Sequence, residues 1–322
     1  MLTTSFTELI GCKAPVQSAG LGGGDPALVE AVSNAGALGM LGAAQIPPEA
    51  LGQILKGLRA NVPEGKFGVN FLAPFLSLDN ADDRACVEIA AQQADLVEFF
   101  FDTPNPEWVR RAHGGGTMVS WQVGSSDEAR QAIDAGCDMI VAQGVEAGGH
   151  VRGTTPILAL LEQIAALAAV PVLAAGGVAG GAGLAAALAS GAAGVRIGTR
   201  FVTAVESSAH PRYVEALLRA NAGDTVLTKA FGVGWPDAPH RILRSCLDAA
   251  NEHNGETVGS ILAGGVAMEV PKFFVGWPNS ATTGNISAMC QYAGESVESV
   301  KEVQTAADIV REIVEEAEAL LG

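Results

Sequence analysis

The sequence is poor in positive charge: 19 Lys and Arg stand against 35 Asp and Glu in 322 residues, a net charge of −16. Nucleic acid and anionic membrane surfaces both demand a basic footprint, so neither is an expected partner. No run approaches the roughly 18 uninterrupted apolar residues of a membrane span. The first ten residues, Met-Leu-Thr-Thr-Ser-Phe-Thr-Glu-Leu-Ile, lack the basic start and apolar core of an export signal. The five cysteines, Cys12, Cys86, Cys137, Cys246 and Cys290, form no CxxC pair and share no histidine spacing of a zinc site. Reduced thiols in a cytoplasmic protein without a metal are the simplest expectation. Missing too is a dinucleotide fingerprint after an early strand.

What is present is apolar and rich in glycine: 48% hydrophobic residues, 17% charged residues and 40 glycines describe a well-buried globular enzyme type. The length suits one large α/β barrel or two ordinary domains. Runs of strand length fall at 14–18, 37–41, 67–71, 96–101, 117–123, Met139–Gln143, 171–175 and 194–201. Amphipathic stretches at 26–35, 47–60, 79–92, 106–112, 127–135, 155–168 and 181–190 alternate with them. Most start at a capping residue or proline, and several stop at a glycine such as Gly36, Gly136 or Gly191. Eight strand-then-helix units with continuously apolar strands predict a closed (β/α)8 TIM barrel, because right-handed crossovers put helices outside and bury every strand. Past Phe201 the rhythm breaks. Residues 206–293 read as a helix followed by loop-rich segments around Gly232-Val-Gly-Trp-Pro and Gly276-Trp-Pro-Asn, an irregular insertion expected to cap the barrel mouth. Residues 296–321 carry apolar positions at helical spacing and predict a C-terminal helix against the wall, so that 1–205 and 294–322 form the barrel.

Three segments concentrate the chemistry: Met139-Ile-Val-Ala-Gln-Gly-Val-Glu-Ala-Gly-Gly-His, Pro171-Val-Leu-Ala-Ala-Gly-Gly-Val and Gly194-Val-Arg-Ile-Gly-Thr-Arg-Phe. In each, an apolar run ends in glycines, where bare backbone N–H groups can approach phosphate oxygens. Gly176, Gly177, Gly198 and Thr199 follow the seventh and eighth strands, where barrels of this class commonly bind phosphate, and the helix start near Gly181 is expected to add a positive dipole end. Glycine turns required only by tight packing are the competing explanation. His150, with a near-neutral pKa, suits a general base at the mouth; a loop histidine that caps a helix is the alternative. Glu146 could orient that ring, orient the loop, or be solvated. Asn70 and Gln122 end the third and fifth strands and are expected to point into the mouth. His210, before Pro211, suits helix capping. Arg200 could face phosphate or form a surface ion pair, and Trp235 and Trp277 could close the pocket or pack under a loop.

Pro15-Val-Gln-Ser-Ala-Gly, Val32-Ser-Asn-Ala-Gly-Ala-Leu-Gly, Gly68-Val-Asn-Phe, Gln143-Gly-Val-Glu-Ala-Gly-Gly-His, Ala174-Ala-Gly-Gly-Val and Gly198-Thr-Arg-Phe occur in register. Together they resemble the nitronate monooxygenase family, once called 2-nitropropane dioxygenases, with the FMN-dependent enoyl-acyl-carrier-protein reductases as a sister group. Tyr292-Ala-Gly-Glu-Ser resembles the family's C-terminal block. The resemblance implies an FMN barrel with His150 catalytic. It also implies cofactor contacts from Ser18, Ala19, Gly20, Asn70, Gln122, Ala142, Gln143, Gly144, Gly148, Gly149, Gly176, Gly177, Gly198 and Thr199. The redox partner would be dioxygen with a nitronate substrate, or NAD(P)H with an enoyl thioester; a homodimer is compatible with either. Two departures stand out: Gln122 replaces a lysine that several members carry, and Ser18-Ala-Gly replaces the more usual Ala-Pro-Met. A non-redox phosphate-binding barrel remains the rival outside this chemistry.

Overall fold

The computed structural model describes residues 2–21, 24–167, 169–263 and 266–322. Its centre is a closed barrel of eight parallel strands: β1 (Val16–Ser18), β2 (Leu38–Gly42), β3 (Lys66–Leu72), β4 (Leu96–Phe100), β5 (Met118–Val123), β6 (Met139–Gln143), β7 (Val172–Ala175) and β8 (Gly194–Ile197). Each pairs with its neighbours in sequence order, and β8 closes on β1 through Val16↔Val195, Gln17↔Arg196 and Ser18↔Ile197. The apolar runs become strands because both faces are covered, and residues along β2, β4 and β6 are buried without alternation.

The helices begin where side chains satisfy their first N–H groups. Asn80 caps Ala81–Gln93, Ser125 caps Ser126–Asp134, and Pro106 opens Pro106–His113. Gly36, Gly136 and Gly191 take positive φ of 90°, 95° and 90° just beyond helix ends, a conformation that a side chain would resist. The expected helix at 155–168 spans Ile157–Ala165, and residue 168 lies outside the described residues.

Four expectations need correction. The last strand stops at Ile197 and not at 201: once the pairing with β1 is exhausted, Thr199–Val202 turns into a short helix, with the Val202 N–H donating to the Gly198 carbonyl at 3.2 Å. The C-terminal helix starts at Ala306, because the Thr305 hydroxyl caps the Asp308 N–H and so sets the first turn there. Residues Glu295–Ser299 form a 3₁₀ turn whose Val297 packs in the cap. The 206–293 region is more regular than its loop-rich sequence suggests. It holds Thr225–Thr228 and His240–Leu243, antiparallel to each other, and a hairpin of Thr257–Ala263 with Val266–Pro271. His240–Leu243 gains its strand character from partners on both sides, the second being Gly149–His150 in the loop after β6.

The sequence reading also missed the helix Ser5–Ile10. Its Phe6 and Ile10 plug the bottom of the barrel against Leu38, Met40, Leu96, Met139, Val141 and Leu173. Burial of Phe6 and Ile10 contributes about 1.5–3 kcal/mol each. A separate apolar cluster running from Val202 to Val297 builds the cap over the opposite end.

Candidate active site

The mouth, at the C-terminal ends of the strands, contains a cavity of about 480 Å³. It is walled by the barrel below and by Trp235, Ile261, Phe274, Trp277 and Tyr292 of the cap above. Of the residues expected at a cofactor, Ala19, Gly20, Asn70, Gln122, Gln143, Gly148, Gly149, His150, Gly176, Gly177, Gly198 and Thr199 line it. Three do not. Ser18 is buried with its hydroxyl accepting the Met40 N–H at 2.9 Å, and Ala142 faces the strand–helix core. A Cβ on Gly144 would lie 2.6 Å from the Ile157 backbone nitrogen, so that glycine serves close packing.

One wall is nearly bare backbone. Gly176 and Gly177 follow β7 with φ of 99° and 71°, and Gly149 has φ of 74° with open space where a side chain would begin. The N–H groups of Gly177, Gly198 and Thr199 donate to no acceptor among the described residues. The Thr199 hydroxyl accepts the Gly294 N–H at 3.0 Å, which ties the chain after the cap to the end of β8. The start of Gly181–Ala189 does not add a free dipole end, because a Glu316 carboxylate oxygen accepts the Gly181 N–H at 2.7 Å. Arg200 is likewise turned away. Its guanidinium is buried and donates to the Ala179 carbonyl, Gln304 and Glu312 at 2.9, 2.6 and 2.9 Å, so it is turned from the cavity and forms an ion pair with the half-exposed Glu312.

The facing wall is aromatic. His150 stacks on Trp235 at 4.0 Å between centroids, with Phe101 and Tyr292 edge-on or tilted at 5.7 and 5.6 Å. Phe101, which packs behind His150, has φ of 75°, a strained left-handed backbone at the end of β4, and Gln45, on the cavity, has φ of 61°. His240 lies opposite His150 in the strand pairing, with the rings 5.5 Å apart, a neighbour that only the fold supplies. The expected near-neutral base is corrected here. Burial first, then the neighbouring His240, pushes the His150 pKa down to about 3, so the ring is neutral at physiological pH. Its Nε2 is buried without a partner.

Supporting contacts explain several remaining residues. The Gln143 amide donates to the His150 carbonyl at 2.8 Å while its oxygen accepts the Arg152 N–H at 3.0 Å, clamping the loop that carries the histidine. Glu146 orients the loop and not the ring: both its oxygens accept the Ile157 N–H at 3.1 Å, at the start of a helix. His210 caps its helix by accepting the Arg212 N–H at 3.1 Å. Trp235 and Trp277 both line the cavity, and Trp277 meets Tyr213 edge-on. Beneath the cavity, Asn70 donates to Glu98 at 2.8 Å, and Gln122 keeps a buried side-chain oxygen without a partner. Arg196 also lines the floor. Among the described residues no cluster of three His, Cys, Asp or Glu is arranged to hold a metal ion, and no helix is long and apolar enough to cross a membrane.

A glycine-rich backbone wall beside a shielded imidazole, at the C-terminal face of a TIM barrel, defines the class as a barrel enzyme with a mouth-facing site. The chain matches the nitronate monooxygenase family over residues 3–316 and belongs to that family of oxidoreductases. It is 34% identical over 265 residues, 81% of this chain and 71% of the relative, to a (3aS,4S,5R,7aS)-5-hydroxy-7a-methyl-1-oxo-octahydro-1H-indene-4-carboxyl-CoA dehydrogenase of Rhodococcus jostii. It is 33% identical over 269 residues, 70% of this chain and 77% of the relative, to the nitronate monooxygenase of Pseudomonas aeruginosa. Among solved structures, FabK from Thermotoga maritima superposes with a TM-score of 0.83 at 29% identity, covering 100% of this chain and 98% of that one.

Proposed function

We propose that this protein is an FMN-dependent enzyme that oxidises alkyl nitronates to a carbonyl compound and nitrite with dioxygen. The carrying observation is the set of unengaged N–H groups at Gly177, Gly198 and Thr199, at two adjacent strand ends suited to one terminal phosphate. The fit extends to the rest of the group. The glycine wall leaves room for a planar ring, and the partnerless oxygen of Gln122 and the Nε2 of His150 offer polar contacts that the protein alone does not satisfy. The flavin would supply the redox step. The chain's own residues would bind the phosphate, orient the ring with Asn70 and Gln122, and exclude water with Trp235 and Tyr292.

A neutral His150 accepts protons at any physiological pH, but a low pKa makes it a weak base for a neutral nitroalkane. The preformed nitronate, whose α-proton has gone, therefore suits this site better, and its negative charge beside the ring would raise the pKa of the imidazole. The experiment is nitrite release from nitroalkane and nitronate in parallel, with the chromophore released by heat and identified by chromatography. Stoichiometric FAD, or no flavin after reconstitution, would overturn the FMN reading.

One observation favours a second reading. The apolar cap surface of Trp235, Ile261, Phe274, Val275 and Trp277 is larger than a small nitronate needs, and the Rhodococcus relative is named for a carboxyl-CoA substrate. NAD(P)H oxidation with an enoyl thioester tests whether residues 206–293 cap a thioester instead.

A further inference from the structure

Four barrel strands send polar side chains to one carboxylate on a fifth. Glu98, on β4, is fully buried, and its Oε1 accepts from Asn70 on β3 at 2.8 Å and from the Nη1 of Arg196 on β8. Its Oε2 accepts from Gln17 on β1 at 3.3 Å and Ser120 on β5 at 3.2 Å. Below this layer the barrel is filled by the apolar plug; above it Asn70, Gln122 and Arg196 form the cavity floor. An ion pair in such a place is poor for stability, since desolvating two charges offsets most of their attraction. Apolar side chains would fill the layer at least as well. The placement makes sense if the guanidinium acts upward. Arg196 is 7% exposed, that remnant opens on the cavity, and of its N–H groups only those on Nη1 are engaged by the described residues.

We propose that Arg196 supplies the fixed positive charge of the cofactor site, the charge that Gln122 does not provide, and that Glu98 is a positioning residue that aims the guanidinium and moderates its field. This rests on the flavin reading above. Reduction adds electron density to the ring, and a fixed cation in a low-dielectric floor stabilises that density more than the oxidised state. The same network fixes Asn70, so one buried carboxylate would set both the charge and a hydrogen-bond partner of the ring.

The test is the midpoint potential of the flavin in the reconstituted holoenzyme. Arg196→Gln should lower it by at least about 30 mV, a tenfold loss in the two-electron reduction constant, while Arg196→Lys should stay closer to wild type. Glu98→Gln leaves the guanidinium less compensated and should move the potential the opposite way, upward. A merely structural pair would shift both variants in one direction, or shift flavin content without shifting potential. If Arg196→Gln does not accumulate as folded protein, Glu98→Gln decides alone: a raised potential supports the assignment, and an unchanged or lowered one overturns it. FMN bound with potentials unmoved in all variants would sink the role of Arg196 and leave the flavin reading standing, whereas wild-type protein that binds no FMN would sink both.

Discussion

On one side of the cavity, Ala19, Gly20, Gly176, Gly177 and Gly198 present backbone; on the other, Phe75, Phe100, His150, Trp235 and Tyr292 present rings. The first wall has its polar groups uncovered and almost no side chains to move, so it suits a ligand whose position never changes. The second has few polar atoms and much side-chain surface, assembled from β4, the β6 loop and the cap, so it suits a ligand that arrives and leaves. The comparison teaches that binding and turnover should be separable by mutation, one wall at a time.

The largest expected effect breaks the first wall. Gly177→Val meets both an intruding side chain and a φ of 71°, whereas Gly198→Val meets only intrusion, its Cβ starting 3.4 Å from Ala19. Both should lose FMN by roughly a hundredfold or more in affinity, the worth of two phosphate hydrogen bonds left unmade at about 1–3 kcal/mol each. Gly198→Val should remain the better folded of the two. Flavin content per protein and a thermal melt check this; normal content in both would mean that the phosphate lies elsewhere.

The second prediction probes the facing wall. His150→Ala should retain FMN and, because a ring with a pKa of about 3 is a weak base, cost turnover of a neutral nitroalkane only toward the low end of the roughly 10²–10⁴ worth of a positioned base, and less with the preformed nitronate. Equal losses on both substrates, measured as kcat/KM, would show that the ring positions an anion and abstracts no proton.

Smaller and more diagnostic is Trp235→Ala. Removing the stacked indole should cost about 3–5 kcal/mol of stability and admit water to His150. Its pKa should then rise from about 3 toward its ordinary value of 6.5, as followed by NMR. The sign for stability is fixed by linkage: a histidine held neutral in the fold contributes stability that is present above pH 6.5 and lost as the pH falls toward 3, because the unfolded chain binds the proton first. Wild type should therefore lose up to about 1.4 kcal/mol per pH unit for this one proton in that window, and Trp235→Ala less steeply. Identical slopes in denaturant titrations would contradict the burial argument.

The smallest effect lies outside both walls. Glu146→Gln weakens the cap of Ile157–Ala165 and should cost about 0.5–1 kcal/mol with flavin content unchanged. A loss of flavin comparable to that of the glycine variants would return Glu146 to the site.

The barrel was legible because each strand is an apolar run bounded by its own turn chemistry, a local property that burial on both faces makes unambiguous. The glycine turn after β7 was legible for the same reason, since the positive φ of Gly176 and Gly177 is written into the residue type. The start of the last helix was not, because helical spacing at Val297, Val300 and Val303 says nothing of whether those residues face the barrel or the cap. Nor could sequence separate Arg200, which is spent on Glu312, from Arg196, four residues earlier and turned inward: strand alternation and barrel closure decide that. The sequence by itself thus determined the strand order, the glycine cradle and the family. The tertiary structure alone decided the neutral state of His150, its pairing with His240, and the convergence of four strands on Glu98. Charge state and long-range contact depend on which distant groups exclude water together, and no local pattern encodes that.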